Sequence, residues 1–391
     1  MLSGVKFRTP KQSNTLRGRL LAWAAVLLLP VAASGQSWTW TTDTVDKNGS
    51  FASLAADRQG NLHVSYISHP GGVTYGFRPA GSSHWFTMLL GKADDGYTRI
   101  ALDDQGNPSV CFNAFEMFSY SRFQDGQWIS QQVAADSGPI SFSCSVAIGP
   151  DGTPHLAWYQ YKDRDRSDYL HIKYAALRDG VWLARTIDFD GETGKWNSMV
   201  LDAQGNPHLA YSCWGLGELK YAYWNGKSWV VTAVDSRQYS KTSGNRGMAN
   251  SLVLGPDGLP RISYFEEHIL KYAHRQGNTW KIEIVDTLSP LVGVGWAGPL
   301  SSLVLDRRGT PHIFYGDFGA LKHAYWDGQK WRIQVIEVGG AGVYKYTSAT
   351  IDPNDTINVS YKVPSDGTLK IATGRLMPQA QTAEAPKQNK N

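Results

Sequence analysis

The chain has 391 residues, of which 42% are hydrophobic and 18% charged, and its formal net charge is +4. Five cations, Lys6, Arg8, Lys11, Arg17 and Arg19, fall within the first 35 residues, which hold no acid, so the rest of the chain carries a formal charge of −1. A body so near neutrality lacks the basic footprint of a nucleic-acid binder. The three cysteines, Cys111, Cys144 and Cys213, have no metal-ligand spacing.

From the N-terminus, the basic stretch is followed by an apolar run over residues 20–33 and then by the small residues Ala32, Ala33, Ser34 and Gly35. This is the pattern of a secretory signal peptide over residues 1–35. The run is shorter than the ~20 residues a membrane span requires. The expectation is export, to the periplasm or the medium, with no stable membrane insertion once the leader is removed.

Residues 36–376 repeat one pattern seven times. Its clearest copy runs from Ser198-Met199-Val200-Leu201-Asp202 through Gly205-Asn206-Pro207-His208 and Tyr211 to Leu219-Lys220-Tyr221-Ala222-Tyr223-Trp224, Asn225-Gly226 and Trp229. The position of Asp202 recurs as Asp57, Asp103, Gly149, Gly255, Asp306 and Asp352, at intervals of 46, 46, 53, 53, 51 and 46 residues. A period of ~40–50 residues with several strands per unit indicates a β-propeller. Each copy supplies four strand-like segments, here named a to d from the N-terminal side.

The a–b turn carries Gly60, Gly106, Gly152, Gly205, Gly258 and Gly309, where positive φ is expected; Asp355 takes that place in the seventh copy. A Trp opens strand d at positions 85, 128, 182, 229, 280 and 331. The seventh copy ends without one, but Trp40 precedes Asp46 by six residues, as Trp229 precedes Asp235 and Trp280 precedes Asp286. The N-terminal segment is therefore expected to provide strand d of the last blade. The result is an all-β, seven-bladed propeller of four-stranded blades whose N-terminal strand closes the ring and leaves no free edge strand between the ends. Residues 377–391, polar and without periodicity, are expected to be a disordered tail.

The short a–b and c–d turns should form one plain face, and the variable b–c and d–a loops the opposite, functional face. The longest loops expected there are d–a connections, residues 236–250 and 287–301. Cys111, Cys144 and Cys213 are expected to be buried free thiols, one disulfide being the alternative. No metal or cofactor is expected, and the particle should be a monomer. His63, His155, His208 and His312 share one position in four blades, so they should bond locally rather than meet at an ion.

The string Leu-Asp-x-x-Gly-Asn-Pro-His-x-x-Tyr, followed by Leu-Lys-Tyr-Ala-x-Trp, resembles a repeat of secreted propellers grouped with the BNR (sialidase-like) propellers. That group includes glycosidases, polysaccharide lyases such as ulvan lyases, and lectins. The resemblance implies the fold over nearly the whole chain after the leader, and leaves the activity open. The sequence departs from the sialidase pattern. No segment matches the Asp-box Ser/Thr-x-Asp-x-Gly-x-x-Trp, and of an arginine triad only Arg99 falls on a strand a.

Removing the repeat residues leaves a short list of candidates. Trp196, Trp214 and Trp296 fall in loops assigned to the variable face, where flat apolar rings suit stacking on sugars, local packing being the alternative. His69, Glu266, His268 and Asp317 lie at the ends of strand b. Tyr97 and Arg99, Arg246, and Tyr344 and Tyr346 lead into strand a, expected nearest the axis. They are candidates for holding and deprotonating a uronate. Glu266 with Asp317 is the candidate carboxylate pair for hydrolysis. Three functions follow: glycan binding on the variable face, cleavage of a uronate-containing polysaccharide (a lyase before a hydrolase), and a protein-interaction scaffold.

Overall fold

The computed structural model describes residues 37–93, 96–114, 117–133, 140–160, 170–236, 246–290 and 301–377. The expected leader, Trp296, most of the two longest d–a loops and the polar tail after Met377 lie outside them. The described residues form one compact unit.

Seven antiparallel sheets stand around one axis. Their innermost strands, a, are Gly49–Ala56, Thr98–Leu102, Ile140–Ile148, Thr193–Leu201, Arg246–Leu254, Ser301–Leu305 and Lys345–Ile351. Each contacts the strand a of both neighbours, and the first contacts the seventh, so the ring closes. Six sheets are four-stranded. In blade 6, strands b and c run as one continuous strand, Pro311–Trp326, whose two parts pair with strand a and strand d. Burial falls outward. Strand b of blade 4, Pro207–Cys213, is buried throughout, whereas strand d of blade 3, Val181–Thr186, is largely exposed.

The expected closure is present. Trp38–Asp46 pairs antiparallel with Leu369–Leu376, with Trp40 opposite Gly374, and so forms strand d of blade 7. No side chain larger than Gly fits at 374, because a Cβ there would collide with the Trp40 ring.

Two repeated devices join the blades. First, a strand c ring meets the strand d Trp of the next blade edge to face: Tyr75–Trp128, Tyr120–Trp182, Tyr174–Trp229, Tyr221–Trp280 and Tyr272–Trp331, with centroids 5.0–5.5 Å apart. His323 with Trp40, 5.4 Å apart, continues the series into blade 7. Second, an acid at the end of one strand d accepts from a Tyr and a Lys of the following blade. Asp235 accepts from Tyr264 Oη at 2.7 Å and Lys271 Nζ at 2.8 Å, and Asp286 from Tyr315 Oη at 2.8 Å and Lys322 Nζ at 3.0 Å. Asp188 with Tyr211 and Lys220, and Glu337 with Tyr361 and Lys370, repeat it.

The seven turn positions all have positive φ, from 72° to 85° at the glycines and 59° at Asp355. Aspartate tolerates this region better than most residues. The strand b histidines bond locally, as expected. His63 Nδ1 lies 2.8 Å from Tyr75 Oη and His155 Nδ1 lies 2.6 Å from Tyr174 Oη. His208 meets Tyr221 in the same way, and His312 meets His323 at 2.9 Å.

The cysteines correct the expectation of free thiols. Strand b of blade 2 and strand a of blade 3 bring the Cα atoms of Cys111 and Cys144 to 6.6 Å, within bridging reach, and they form a disulfide. Cys213 is the free, buried thiol, with a pKa pushed up to about 11 by burial.

Candidate functional site

The start of strand a sets the mouth of the central channel. Six residues before the turn acid or glycine stand Phe51, Tyr97, Trp196, Ala249 and Tyr346 in their respective blades. Phe51, Trp196, Ala249 and Tyr346 have φ of 54°, 48°, 53° and 59°, and each sits in a register shift of strand a. A bulge with a left-handed residue costs about 1–3 kcal/mol and turns a side chain away from the strand's alternation. Here the aromatic rings turn toward each other. Phe51 lies 4.8 Å from Tyr97 and 4.1 Å from Tyr346, and Tyr97, Trp196 and Tyr346 belong to one core cluster.

Beneath these rings lies a small cavity of about 120 Å³, lined by residues of all seven a strands, among them Arg99, Asn197, Asn250 and a set of serines. Arg99 is partly exposed, onto this lumen, with protein surrounding the guanidinium. It donates to the Thr98 carbonyl at 3.0 Å. Burial lowers its pKa, and the nearby Tyr97 phenol acts in the opposite direction.

Tyr97 and Arg99 are thus brought together, in a space well below the ~300–1,000 Å³ of typical ligand pockets. Tyr344 is fully buried away from the lumen, its Oη 3.4 Å from the Gly339 carbonyl and its pKa pushed up to about 12 by burial. Tyr346 is 8% exposed within the aromatic cover. Arg246 opens strand a of blade 5 opposite Glu266, and its side chain lies outside the described residues.

Trp196 is no loop residue. It sits inside strand a of blade 4, buried, with its ring 5.8 Å from Trp214. Trp214 does occupy a b–c turn and is half-buried, with Lys195 Nζ 4.5 Å from its ring centroid and Lys195 paired to Glu192. His69 follows strand b of blade 1 and meets Ser50 Oγ at 2.9 Å. His268 is half-buried in a b–c turn, its carbonyl accepting from Leu288 N at 2.8 Å. Glu266 and Asp317 are both buried. Glu266 pairs with Lys271 and Asp317 with Lys322, the latter at 2.8 Å, so each serves as a second carboxylate on the lysine of its own blade.

Two larger clefts open instead on the face of the short turns, between blades. One, of about 530 Å³, lies between blades 3 and 4. Its walls carry Asp151 and His155 from blade 3, Arg178 exposed at the end of strand c and Arg185 exposed on strand d of that blade, and Trp224 and Trp229 from blade 4. Trp224 is half-buried, 6.0 Å from Trp229, and the Arg185 guanidinium lies 5.7 Å from its centroid. Among the described residues neither Arg178 nor Arg185 has a carboxylate partner in an ion pair. Asp151 is held below the usual carboxylate range by the backbone and hydroxyl of Thr153. Burial drives His155 down to about 4, so it is neutral at pH 7.

The equivalent cleft between blades 7 and 1, about 670 Å³, contains Arg78 and Arg375 with Asp352 and Asp355 but, among the described residues, no aromatic ring. Reading the repeat missed the first cleft because Trp224 and Trp229 are repeat residues. The signal present was Arg185, three residues after the strand d Trp, where other blades have Asp43, Met88, Gln131, Thr232, Glu283 and Gln334.

No family model matches the chain, and no curated protein matches it. Among solved structures it is similar to a protein of unknown function from Dyadobacter fermentans, with a TM-score of 0.55 and 11% identity over 87% of this chain and 99% of that one. It is also similar to a mutant of the Aleuria aurantia lectin in complex with alpha-methyl-L-fucoside, with a TM-score of 0.51 and 16% identity over 77% and 99% of the two chains. A third is an ulvan lyase bound to -[GlcA(1-4)Rha3S]-, with a TM-score of 0.52 and 12% identity over 85% and 95%. At these identities the likeness establishes the propeller fold, shared by glycan-binding and glycan-cleaving proteins.

Proposed function

We propose that the protein is an exported glycan-binding propeller, and that the cleft between blades 3 and 4 is its recognition site. The observation that carries this reading is the composition of that cleft. Two tryptophans and two arginines without carboxylate partners surround a volume of about 530 Å³, the size of a small oligosaccharide unit. Aromatic faces bind the apolar face of a sugar ring, Asp151 accepts from its hydroxyls, and Arg178 and Arg185 pair with an acidic substituent, a uronate carboxylate or a sulfate. The lectin and lyase among the similar structures support a carbohydrate ligand. The variable-face tryptophans give less support, since Trp196 is committed to packing.

A glycan array comparing the protein with Trp224→Ala and Trp214→Ala tests the site. Trp224→Ala should weaken binding to acidic glycans by about five- to tenfold, the loss of one stacking contact of roughly 1–1.5 kcal/mol, while Trp214→Ala should bind as the parent. Loss with Trp214→Ala alone would move the site to the variable face.

A further inference from the structure

The serines of the central cavity form a ring with one interruption. Four residues before the turn position stand Ser53, Arg99, Ser145, Ser198, Ser251, Ser302 and Ser348, one per blade. Five of the six serines do the same work: each Oγ accepts the backbone N–H of the next blade's strand a. Ile100 donates to Ser53 at 3.2 Å, Leu252 to Ser198 at 3.0 Å and Leu303 to Ser251 at 3.0 Å. Ala349 donates to Ser302 at 2.8 Å, and Leu54 to Ser348 at 3.0 Å, across the closure of the ring. Ser145 differs, donating to Asn197 Oδ1 at 2.6 Å.

A hydroxyl has one hydrogen to give and two lone pairs. In those five serines a lone pair is occupied by the backbone, and no described protein group accepts the hydrogen. Five O–H donors therefore remain for the lumen. The blade that lacks a serine supplies Arg99, and among the described residues no carboxylate lines the cavity. An enclosed guanidinium without a counter-charge is costly, and a lumen rich in donors and lacking acids is the complement of an anion.

We propose that the central cavity binds a small inorganic anion of halide size, held by the Arg99 guanidinium and the hydroxyls of Ser53, Ser198, Ser251, Ser302 and Ser348. The size follows from the room available. About 120 Å³ holds roughly four water molecules, or one compact anion with a few waters, and it does not admit a sugar ring. Tyr97 and Trp196 line the cavity at its end nearer the variable loops. The anion fastens six of the seven blades at their common centre, so its effect is on stability. The site is separate from the glycan cleft, and Trp224→Ala should leave it intact.

The test uses the full-length chain and Arg99→Ser, which restores the residue of the other blades. Thermal unfolding is followed at constant ionic strength as sodium gluconate, whose anion is too large for the cavity, is replaced by sodium bromide. The parent should gain roughly 2–5 °C in Tm, as expected for a ligand that binds only the folded state, and Arg99→Ser should show no gain. Crystals of the parent soaked in bromide should give an anomalous peak beside Arg99, a readout that does not depend on the variant folding. Equal gains in parent and variant, or bromide-soaked crystals with no anomalous peak in the cavity, would overturn the proposal.

Discussion

Asp286 shows how much one side chain carries at a joint between blades. Its carboxylate takes the Tyr315 hydroxyl and Lys322, and Tyr315 is fully buried. Burial, with Asp286 next to it, raises the Tyr315 pKa, so the phenol stays protonated and remains a donor. Burial works against the charge of Lys322, but Asp317 and Asp286 outweigh it and raise its pKa. Asp286→Ala strands the phenol and leaves the lysine with Asp317 alone, which should cost about 2–4 kcal/mol of unfolding free energy, measured by urea denaturation. The sequence already showed the lysines and tyrosines at shared positions, and it showed an acid six residues after several tryptophans. Their meeting was not legible, because Asp286 and Lys322 are 36 residues apart and belong to different blades.

At the scale of elements, the closing strand was legible because a missing Trp at one end of the chain matched a surplus Trp at the other. Trp40 stacks edge-on with Phe314 and His323, at 5.8 and 5.4 Å, and so ties the N-terminal strand to blade 6 as well as blade 7. Trp40→Ala should lower stability by about 2–4 kcal/mol. It should also make residues 38–46 the first segment to exchange its amides with deuterium; protection equal to that of the inner strands would contradict this. Strand a of blade 4 was misread for a physical reason. The bulge at Trp196 breaks the two-residue alternation, so Thr193-Gly194-Lys195-Trp196-Asn197 looks like a loop although it is strand. The same bulge hides a packed Trp among residues that resemble a sugar platform.

Over the whole molecule, the buried histidines set the response to acid. His63, His155, His208 and His323 are all held below the ordinary histidine pKa by burial, His155 at about 4. The unfolded chain takes up these protons near pH 6.5 and the folded chain does not, so the stability is fully present above pH 6.5 and is lost as pH falls toward 4. His155 alone accounts for about 3 kcal/mol over that window. The depressed Asp57, Asp202 and Asp306 carboxylates then extend the loss to lower pH. Urea midpoints measured from pH 7.5 to 4 should fall steadily below 6.5; a flat profile to pH 4.5 would contradict the neutral, buried state of these rings.

The repeat made the propeller legible from residue types alone, since every blade repeats the same turn, ring and strand positions. The cleft between blades 3 and 4 was not, because it is made by the juxtaposition of two blades and its aromatic surface belongs to the repeat itself. The direct measurement is a crystal structure of the protein soaked with the best acidic oligosaccharide from the array. The expected result is a sugar ring in contact with Trp224, with its acidic group within 3.5 Å of Arg178 or Arg185. Ligand density beside Trp214 on the opposite face, with the cleft holding only solvent, would contradict the assignment.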